Sequence, residues 1–430
     1  MGTQDLISKR IKEIRHQRGL SQAQLAHPEL SDSYISLIES GSRTPTPAVL
    51  ELLASKLGCS VSYLVNGVTA EEMEELELNL RYARMALENG EVVEARQRFA
   101  ELLDDSRLAT LTSLRHEVEY GAALADEAYG ELDEAIDRLS RLRESAGDTM
   151  TTERRIAVTL ALSRCYRDRG DTSLAIEVAE KEIGNVIEAG WTDDLIELGS
   201  TLLSAYYDRG DLLRALQYSA ELLAAAEKLG TPRAIVAASW NAANAADLAG
   251  HGEEAVPLAE RAMAVQSEYG DPRNLARLRI TYAAIRLRHR PEESALCRDM
   301  LLRAESELRE SASSKLDLAL CLQYLALAEL GLGAAEQAAD YARRSIDLLD
   351  ETIPDVNADV RMILGQAYLQ LGRAEDAAAE VHAAIDLLDD VPASRMSAES
   401  WFTAAAVLEG AGDQEGSALA YRRAMECGGL

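Results

Sequence analysis

The 430-residue sequence contains few cysteines, few aromatic residues and no long apolar run, and each shortage excludes a class of protein. The five cysteines are scattered, odd in number and form no Cys-x-x-Cys pair, which indicates neither a disulfide framework nor a zinc site. No apolar stretch approaches the roughly 18 residues of a membrane span, and the N-terminus has no signal-like segment. We therefore expect a cytoplasmic protein that does not enter a membrane.

Motifs for catalysis and for cofactor binding are also lacking. The six histidines show no metal-ligand spacing, and neither a Ser-His-Asp nor a Cys-His arrangement occurs in a suitable context. No Gly-x-x-x-x-Gly-Lys-Ser/Thr loop is present, which excludes regulators driven by nucleotide hydrolysis. The sequence therefore predicts no catalytic residue, no metal, no cofactor and no enzymatic activity.

What the sequence does contain is typical of helices. It is 47% hydrophobic, rich in Ala, Leu, Glu and Arg, and has only nine prolines. The net charge of −29 is unevenly distributed: residues 1–67 hold seven basic and six acidic residues, which leaves −30 on residues 68–430. We predict an all-α protein with a near-neutral N-terminal domain and an acidic remainder.

The segment 21–45 has the pattern of two short helices joined by a turn. Leu25 marks the inward side of the first helix, and Ile35 and Ile38 mark that of the second. Ser31 has the side chain of an N-cap, and Gly41 is a natural helix stop. Two helices this short need flanking helices to pack against, and apolar periodicity on both sides supplies them.

The motifs S-Q-x-x-L-A and S-x-S-Y-I-S-x-I-E-x-G-x-R-x-P in this segment resemble the helix-turn-helix of the phage-repressor class, the XRE family. The resemblance covers roughly residues 5–67 and implies a five-helix, lambda-repressor-like domain with a structural ion pair between Arg15 and Glu39. One departure is that Leu25 and Ile35 lie one residue closer than is usual in the family. We place this DNA-binding domain at residues 1–67.

The resemblance also implies which residues contact DNA. The outward positions of the second helix match base-reading positions of the family. Gln22 opens the first helix, where its amide and the backbone N–H groups can hold a phosphate, and Arg43, just past Gly41, is placed to hold another. For Asp32, a second N-cap is an equally good interpretation. The predicted DNA-binding residues are Gln22, Ser31, Asp32, Ser33, Tyr34, Ser36, Leu37 and Arg43.

The few basic residues of this domain indicate that one copy binds DNA weakly, since phosphate neutralisation supplies much of the affinity. The acidic remainder of the chain would repel DNA. We therefore expect a homodimer on double-stranded DNA with a palindromic operator.

After residue 67 an internal repeat of about 40 residues dominates the sequence. In each unit a turn residue, usually Gly, is followed five places later by a small residue, usually Ala. We predict a linker at 68–72 and about nine two-helix repeats over 73–430, with helices of roughly 17 residues. The turn residues are Gly90, Gly130, Gly170, Gly210, Gly250, Arg290, Gly333, Gly372 and Gly412.

Tyr166, Tyr206 and Tyr368, each four residues before a turn residue, make these units resemble tetratricopeptide (TPR) repeats in a longer form. That resemblance implies a right-handed superhelix whose first helices line a concave groove. A helix-turn-helix followed by TPRs is similar to the RRNPP regulators, which sense signalling peptides. It implies a transcription regulator whose groove binds a peptide or small ligand.

Positions expected to face the groove carry polar groups and large rings, which suit an extended peptide. A solvated polar face is the alternative for this set. At the level of function, the alternative is a DNA-tethered scaffold that recruits a protein partner without a small effector. The predicted ligand-binding residues are Arg164, Arg167, Ser204, Tyr207, Trp240, Asn241, Asn244, Asp247, Arg277 and Gln323.

Overall fold

The computed structural model describes residues 3–146, 150–269, 272–310, 315–349, 353–389, 391, 393 and 395–427. Within this part of the chain all regular structure is helical and no β-strand occurs, which confirms the predicted all-α class. The chain divides into two compact units, Met1–Thr149 and Met150–Leu430.

The first unit begins with five helices, as the resemblance implied. The inward residues named from the sequence, Leu25, Ile35 and Ile38, are fully buried in one core with residues of the other three helices. The five helices are α1 (Thr3–Gln17), α2 (Gln22–Ala26), α3 (Asp32–Glu39), α4 (Pro47–Leu57) and α5 (Val61–Asn66).

Helix α6 (Ala70–Glu88) follows almost at once. Thr69 and Glu72 form a capping box at its start, and Val68 is buried beside Leu76 and Leu108. The segment 68–72 therefore consists of a buried apolar residue, a cap and the first turn of α6. The remaining helices of the unit are α7 (Val92–Leu103), α8 (Thr112–Tyr129) and α9 (Leu132–Ala146), with a 3-10 turn at Ser106–Thr110.

The second unit contains seven further helical hairpins in its described part, so the two units together hold the nine that were predicted. Its helices are α10 (Thr152–Asp168), α11 (Thr172–Val186), α12 (Asp193–Asp208), α13 (Leu212–Leu229), α14 (Pro232–Leu248), α15 (Gly252–Tyr269), α16 (Pro272–His289), α17 (Ser294–Glu310), α18 (Lys315–Gly331), α19 (Ala335–Ile346), α20 (Pro354–Gln370), α21 (Ala374–Leu388), α22 (Arg395–Ala411) and α23 (Gln414–Cys427). Each odd-numbered helix packs against the even-numbered helices before and after it along most of the unit.

The eight turn glycines all have positive φ, which a residue with a side chain adopts at a cost. The exception is Arg290, whose φ is −140° and which is followed by a 3-10 turn, Pro291–Glu293. That turn changes the register of the next helix: Ala295, the small residue five places after Arg290, is exposed, and Ser294 is buried instead. A Cβ at Gly331 would lie 2.3 Å from the Ser294 Oγ, so the two helices meet closely there.

Gly121 permits the tightest approach in the first unit. A Cβ at this position of α8 would lie 2.3 Å from Cε1 of Phe99 on α7, so the phenyl ring fills the space of a side chain. By contrast, a Cβ at Gly184 of α11 would meet nothing within 4 Å. The first glycine is thus required by packing, and the second is not.

Candidate DNA-binding surface and ligand cleft

Serine caps fix the starts of the two helices of the helix-turn-helix. The Ser21 Oγ accepts a hydrogen bond from the Gln24 N–H at 3.1 Å, and the Ser31 Oγ accepts one from the Tyr34 N–H at 3.2 Å. Ser31 is therefore the N-cap of α3, and the capping role considered for Asp32 falls to its neighbour. The Asp32 carboxylate is exposed and lies 3.5 Å from the imidazole of His27.

A buried ion pair ties α3 to α1. The Arg15 guanidinium donates to both Glu39 carboxylate oxygens, at 2.6 and 2.9 Å, and also to the Leu20 carbonyl at 2.8 Å. Burial acts to raise the pKa of Glu39, but the hydrogen bonds from Arg15 and Gln22 outweigh it and hold that pKa below its usual value. The pair predicted as structural is thus at the centre of the domain.

Gln22, predicted to hold a phosphate, takes part in the same network. Its Nε2 donates to the Glu39 Oε2 at 2.8 Å. The side-chain amide at the start of α2 is therefore oriented by a residue near the end of α3. This link fixes the two helices relative to each other.

The outer face of α3 carries the predicted base-reading residues together. Asp32, Ser33, Ser36 and Leu37 are all exposed, Leu37 by 43%. Tyr34 is half-buried, and the Arg43 guanidinium lies 5.1 Å from its ring centroid. One helix face with a cation beside it is a shape that fits a DNA groove.

Several basic residues of the domain cap helices and so have internal roles. The Arg10 Nη1 donates to the Val65 carbonyl at 2.5 Å, at the end of α5. The Arg18 Nη2 donates to the Gly58 carbonyl at 3.0 Å, at the end of α4. Positive charge at a helix C-terminus is favourable because of the helix dipole. Sequence reasoning missed both roles, since the partners are 40 or more residues apart.

Lys56 of α4 has a similar role at the end of α2. Its ammonium donates to the carbonyls of Leu25, Ala26 and His27 at 3.1, 3.1 and 2.7 Å, and pairs with Glu29 at 2.5 Å. This contact holds the turn between α2 and α3, the segment that is one residue shorter than usual. Four of the seven basic residues therefore stabilise the fold, namely Arg10, Arg15, Arg18 and Lys56.

In the second unit, five helices surround a cleft of about 320 Å³. Three predicted ligand residues, Arg164, Trp240 and Asn241, line it. The cleft also includes residues outside the predicted set, because a cleft wall depends on which helices are neighbours. These are Leu160, Glu197, Ser200, Thr201, Arg233, Val236, Ala237, Gln266, Asn274 and Leu278.

A chain of hydrogen bonds orients Asn241 at one side of this cleft. The Tyr207 hydroxyl donates to the Ser204 Oγ at 2.9 Å, and the Ser204 Oγ donates to the Asn241 Oδ1 at 2.7 Å. The Asn241 Nδ2 donates to the Ala237 carbonyl at 3.0 Å. The side chain is thus held in one orientation. Burial raises the pKa of Tyr207, so the hydroxyl stays protonated and remains a donor.

Ser200 lines the same cleft and is 4% exposed, and its Oγ has no hydrogen-bond partner among the described residues. A buried hydroxyl without a partner costs about 1–3 kcal/mol.

The other predicted ligand residues lie outside the cleft. Asp247 pairs with Arg288 and, at 2.6 Å, with His289. Arg277 forms a bidentate ion pair with Asp317, with N–O distances of 3.0 and 2.8 Å. Ser204 and Tyr207 are linked to the cleft by the hydrogen bonds that orient Asn241. Of the last three, Asn244 is half-buried, Arg167 lies beside Asp168 and Asp208, and the Oε1 of the buried Gln323 has no partner among the described residues.

Residues 11–64 match the family described as HTH_3, Helix-turn-helix. They form a DNA-binding helix-turn-helix domain of the XRE type. The immunity repressor protein of Bacillus phage phi105 is 40% identical over 74 residues, which are 17% of this chain and 51% of that protein. The chain thus spans about half the length of this curated relative.

Two solved structures of one protein, NprR, resemble most of the chain in fold. The apo form of the quorum sensor NprR from B. thuringiensis is 14% identical, covers 89% of this chain and 99% of its own, and gives a TM-score of 0.55. NprR in complex with its cognate peptide NprX is also 14% identical. It covers 79% of this chain and 95% of its own, and it gives a TM-score of 0.51. The predicted combination of an XRE-type domain with TPR-like repeats is confirmed as a fold.

Within the described residues no helix is long and apolar enough to cross a membrane. The same part of the chain holds no group of three or more His, Cys, Asp or Glu side chains that could bind a metal ion.

Proposed function

We propose that the protein is a transcription regulator that binds a palindromic operator as a homodimer, and that its repeats bind a short peptide in the cleft between α10 and α16. The observation that carries the proposal is the cleft itself. It combines the indole ring of Trp240 and the guanidinium of Arg164 in a chain that begins with a DNA-binding domain.

The lining of the cleft suits a peptide. Trp240, Val236 and Leu278 offer apolar surface for a side chain, and Arg164 offers donors to a carboxylate. The volume is at the lower end of what ligand sites have, about 300–1,000 Å³. The complex of NprR with its peptide NprX supports a peptide over other ligands of similar size.

Affinity selection from a random heptapeptide pool, read by mass spectrometry, tests the ligand. The full-length protein should enrich related peptides, and Trp240→Ala should bind them at least tenfold more weakly. Leu213→Ala, at an exposed position of α13, is the matched control. If no peptide is enriched while a stoichiometric protein partner is retained by Trp240→Ala, the scaffold function is correct instead.

Selection from a random duplex library tests the DNA-binding half. We expect an inverted repeat to be enriched. Ser36→Ala, on the outer face of α3, should change which bases are selected. Arg43→Ala should instead weaken the binding to all DNA sequences by a similar factor. A protein that enriches no sequence, with its helices intact by circular dichroism, would not be a regulator of this kind.

A further inference from the structure

Helix α6 has an apolar stripe that faces solvent. Leu78, Tyr82 and Met85 are exposed by 38, 43 and 51%. Their spacing of four and three residues places them on one side of the helix. The opposite side packs in the core of the first unit through Leu76, Leu80 and Ala83. A helix with apolar residues on both sides still exposes one apolar surface after the other has packed in the core, and such a surface marks a contact site.

Charged residues on the same stripe follow a pattern that is complementary to itself. Glu74 precedes Leu78 by one turn and Arg81 follows it by nearly one turn, and both side chains are exposed. The first half of α6 also contains Glu71, Glu75 and Glu77. The helix is therefore acidic before Leu78 and carries two basic residues, Arg81 and Arg84, after it.

We propose that this stripe is the contact between two copies of the chain, with α6 packed antiparallel to α6 of the second copy about a two-fold axis at Leu78. At a rise of about 1.5 Å per residue, Glu74 lies about 6 Å before the axis and Arg81 about 4.5 Å after it. Each Glu74 therefore meets Arg81 of the other copy. A parallel pair would instead oppose Glu74 to Glu74.

This contact rests on the proposed function, since it would bring two DNA-binding domains together. Ala70, where α6 begins, is eight residues from Leu78, so the two starts would lie about 24 Å apart. Each start directly follows α5 of its own helix-turn-helix. Adjacent half-sites are about 34–36 Å apart, a distance that the two domains can span from these starts.

Analytical ultracentrifugation of the full-length chain, with a monomer mass of 46.8 kDa, tests the surface. The wild type should sediment as a dimer, and Leu78→Glu should raise the dimer Kd at least tenfold. Leu213→Glu, at a 73% exposed position on α13, should leave the Kd unchanged. A wild type that is monomeric throughout, or a Leu78→Glu dimer of unchanged Kd, would overturn the proposal.

A charge exchange makes the test specific for the antiparallel geometry. Glu74→Arg and Arg81→Glu should each weaken the dimer, and the double variant should restore it to within about threefold of the wild type. A double variant no tighter than the single ones would refute this pairing. The operator selection separates the two proposals, because a wild-type dimer that enriches no DNA contradicts the function and leaves the α6 contact standing.

Discussion

Removing Arg15 should strongly destabilise the DNA-binding domain, because it leaves a buried charge behind. In Arg15→Met, the Glu39 carboxylate, 3% exposed, keeps only the hydrogen bond from Gln22. Breaking a buried pair from one side costs about 3–5 kcal/mol. A domain is stable by only about 5–15 kcal/mol in all, so this is a large share.

Removing both charges should cost far less than the two single changes together. In Arg15→Met with Glu39→Leu no charge stays buried, and such apolar replacements are often nearly neutral. The Leu20 carbonyl and the Gln22 amide still lose partners, which leaves an expected cost of about 1–2 kcal/mol. The double-mutant cycle should therefore give a coupling energy above about 2 kcal/mol.

Hydrogen exchange of the α3 amides in the full-length protein measures this locally. The free energy of opening should fall by the amounts above in each variant. Because the pKa of Glu39 is lowered in the fold, the contribution of the pair is present above the unfolded value of about 4.3 and is lost as pH falls through the folded value. Single variants that lose less than about 1 kcal/mol at pH 7, or additive effects in the double variant, would refute the reasoning.

Three further predictions concern packing, salt and pH. Gly121→Ala should destabilise the first unit by about 1–3 kcal/mol in urea unfolding, whereas Gly184→Ala should be neutral or stabilising by up to about 1 kcal/mol. Arg43→Ala should reduce the slope of log K against log salt for operator binding by about 1.8, which is about 0.9 for each of the two subunits; an unchanged slope would exclude a phosphate contact. Burial raises the pKa of Asp359 to about 6, so the folded state holds the proton more tightly and thermal stability should rise as pH falls from about 7 to about 5. Asp359→Asn should reduce that rise, and an identical pH profile would contradict the assignment.

Most of the fold follows from local signals in the sequence. A glycine that needs positive φ ends a helix wherever it stands, so the turns at Gly90 and Gly170 were predictable one by one. Arg290 shows the limit of that reasoning. The repeat period places Ala295 inward, but the following proline starts a 3-10 turn that moves Ser294 into the contact. The repeat period alone does not specify which residues of the next helix face inward after an irregular turn.

The candidate sites were less predictable, because they depend on contacts between distant segments. Positions on α3 could be assigned to its outer face from helical spacing, and Ser36 and Leu37 are indeed exposed. For the groove, spacing indicated which residues point away from the second helix of each repeat. It could not show that Asp247 already has Arg288 and His289 as partners. Three of the ten predicted residues line the cleft.

The internal use of basic residues bears directly on the need for two copies. Seven basic residues in the first 67 suggested a modest set of phosphate contacts, but Arg10, Arg15, Arg18 and Lys56 bond to carbonyls or to Glu39. Few exposed cations remain, so most of the affinity of one domain must come from helix N-termini and base edges. A second domain held at a fixed spacing raises the effective concentration of the first near its half-site. The α6 contact would therefore matter more for this protein than for a strongly basic helix-turn-helix, and loss of dimerisation in Leu78→Glu should weaken operator binding more than Arg43→Ala does.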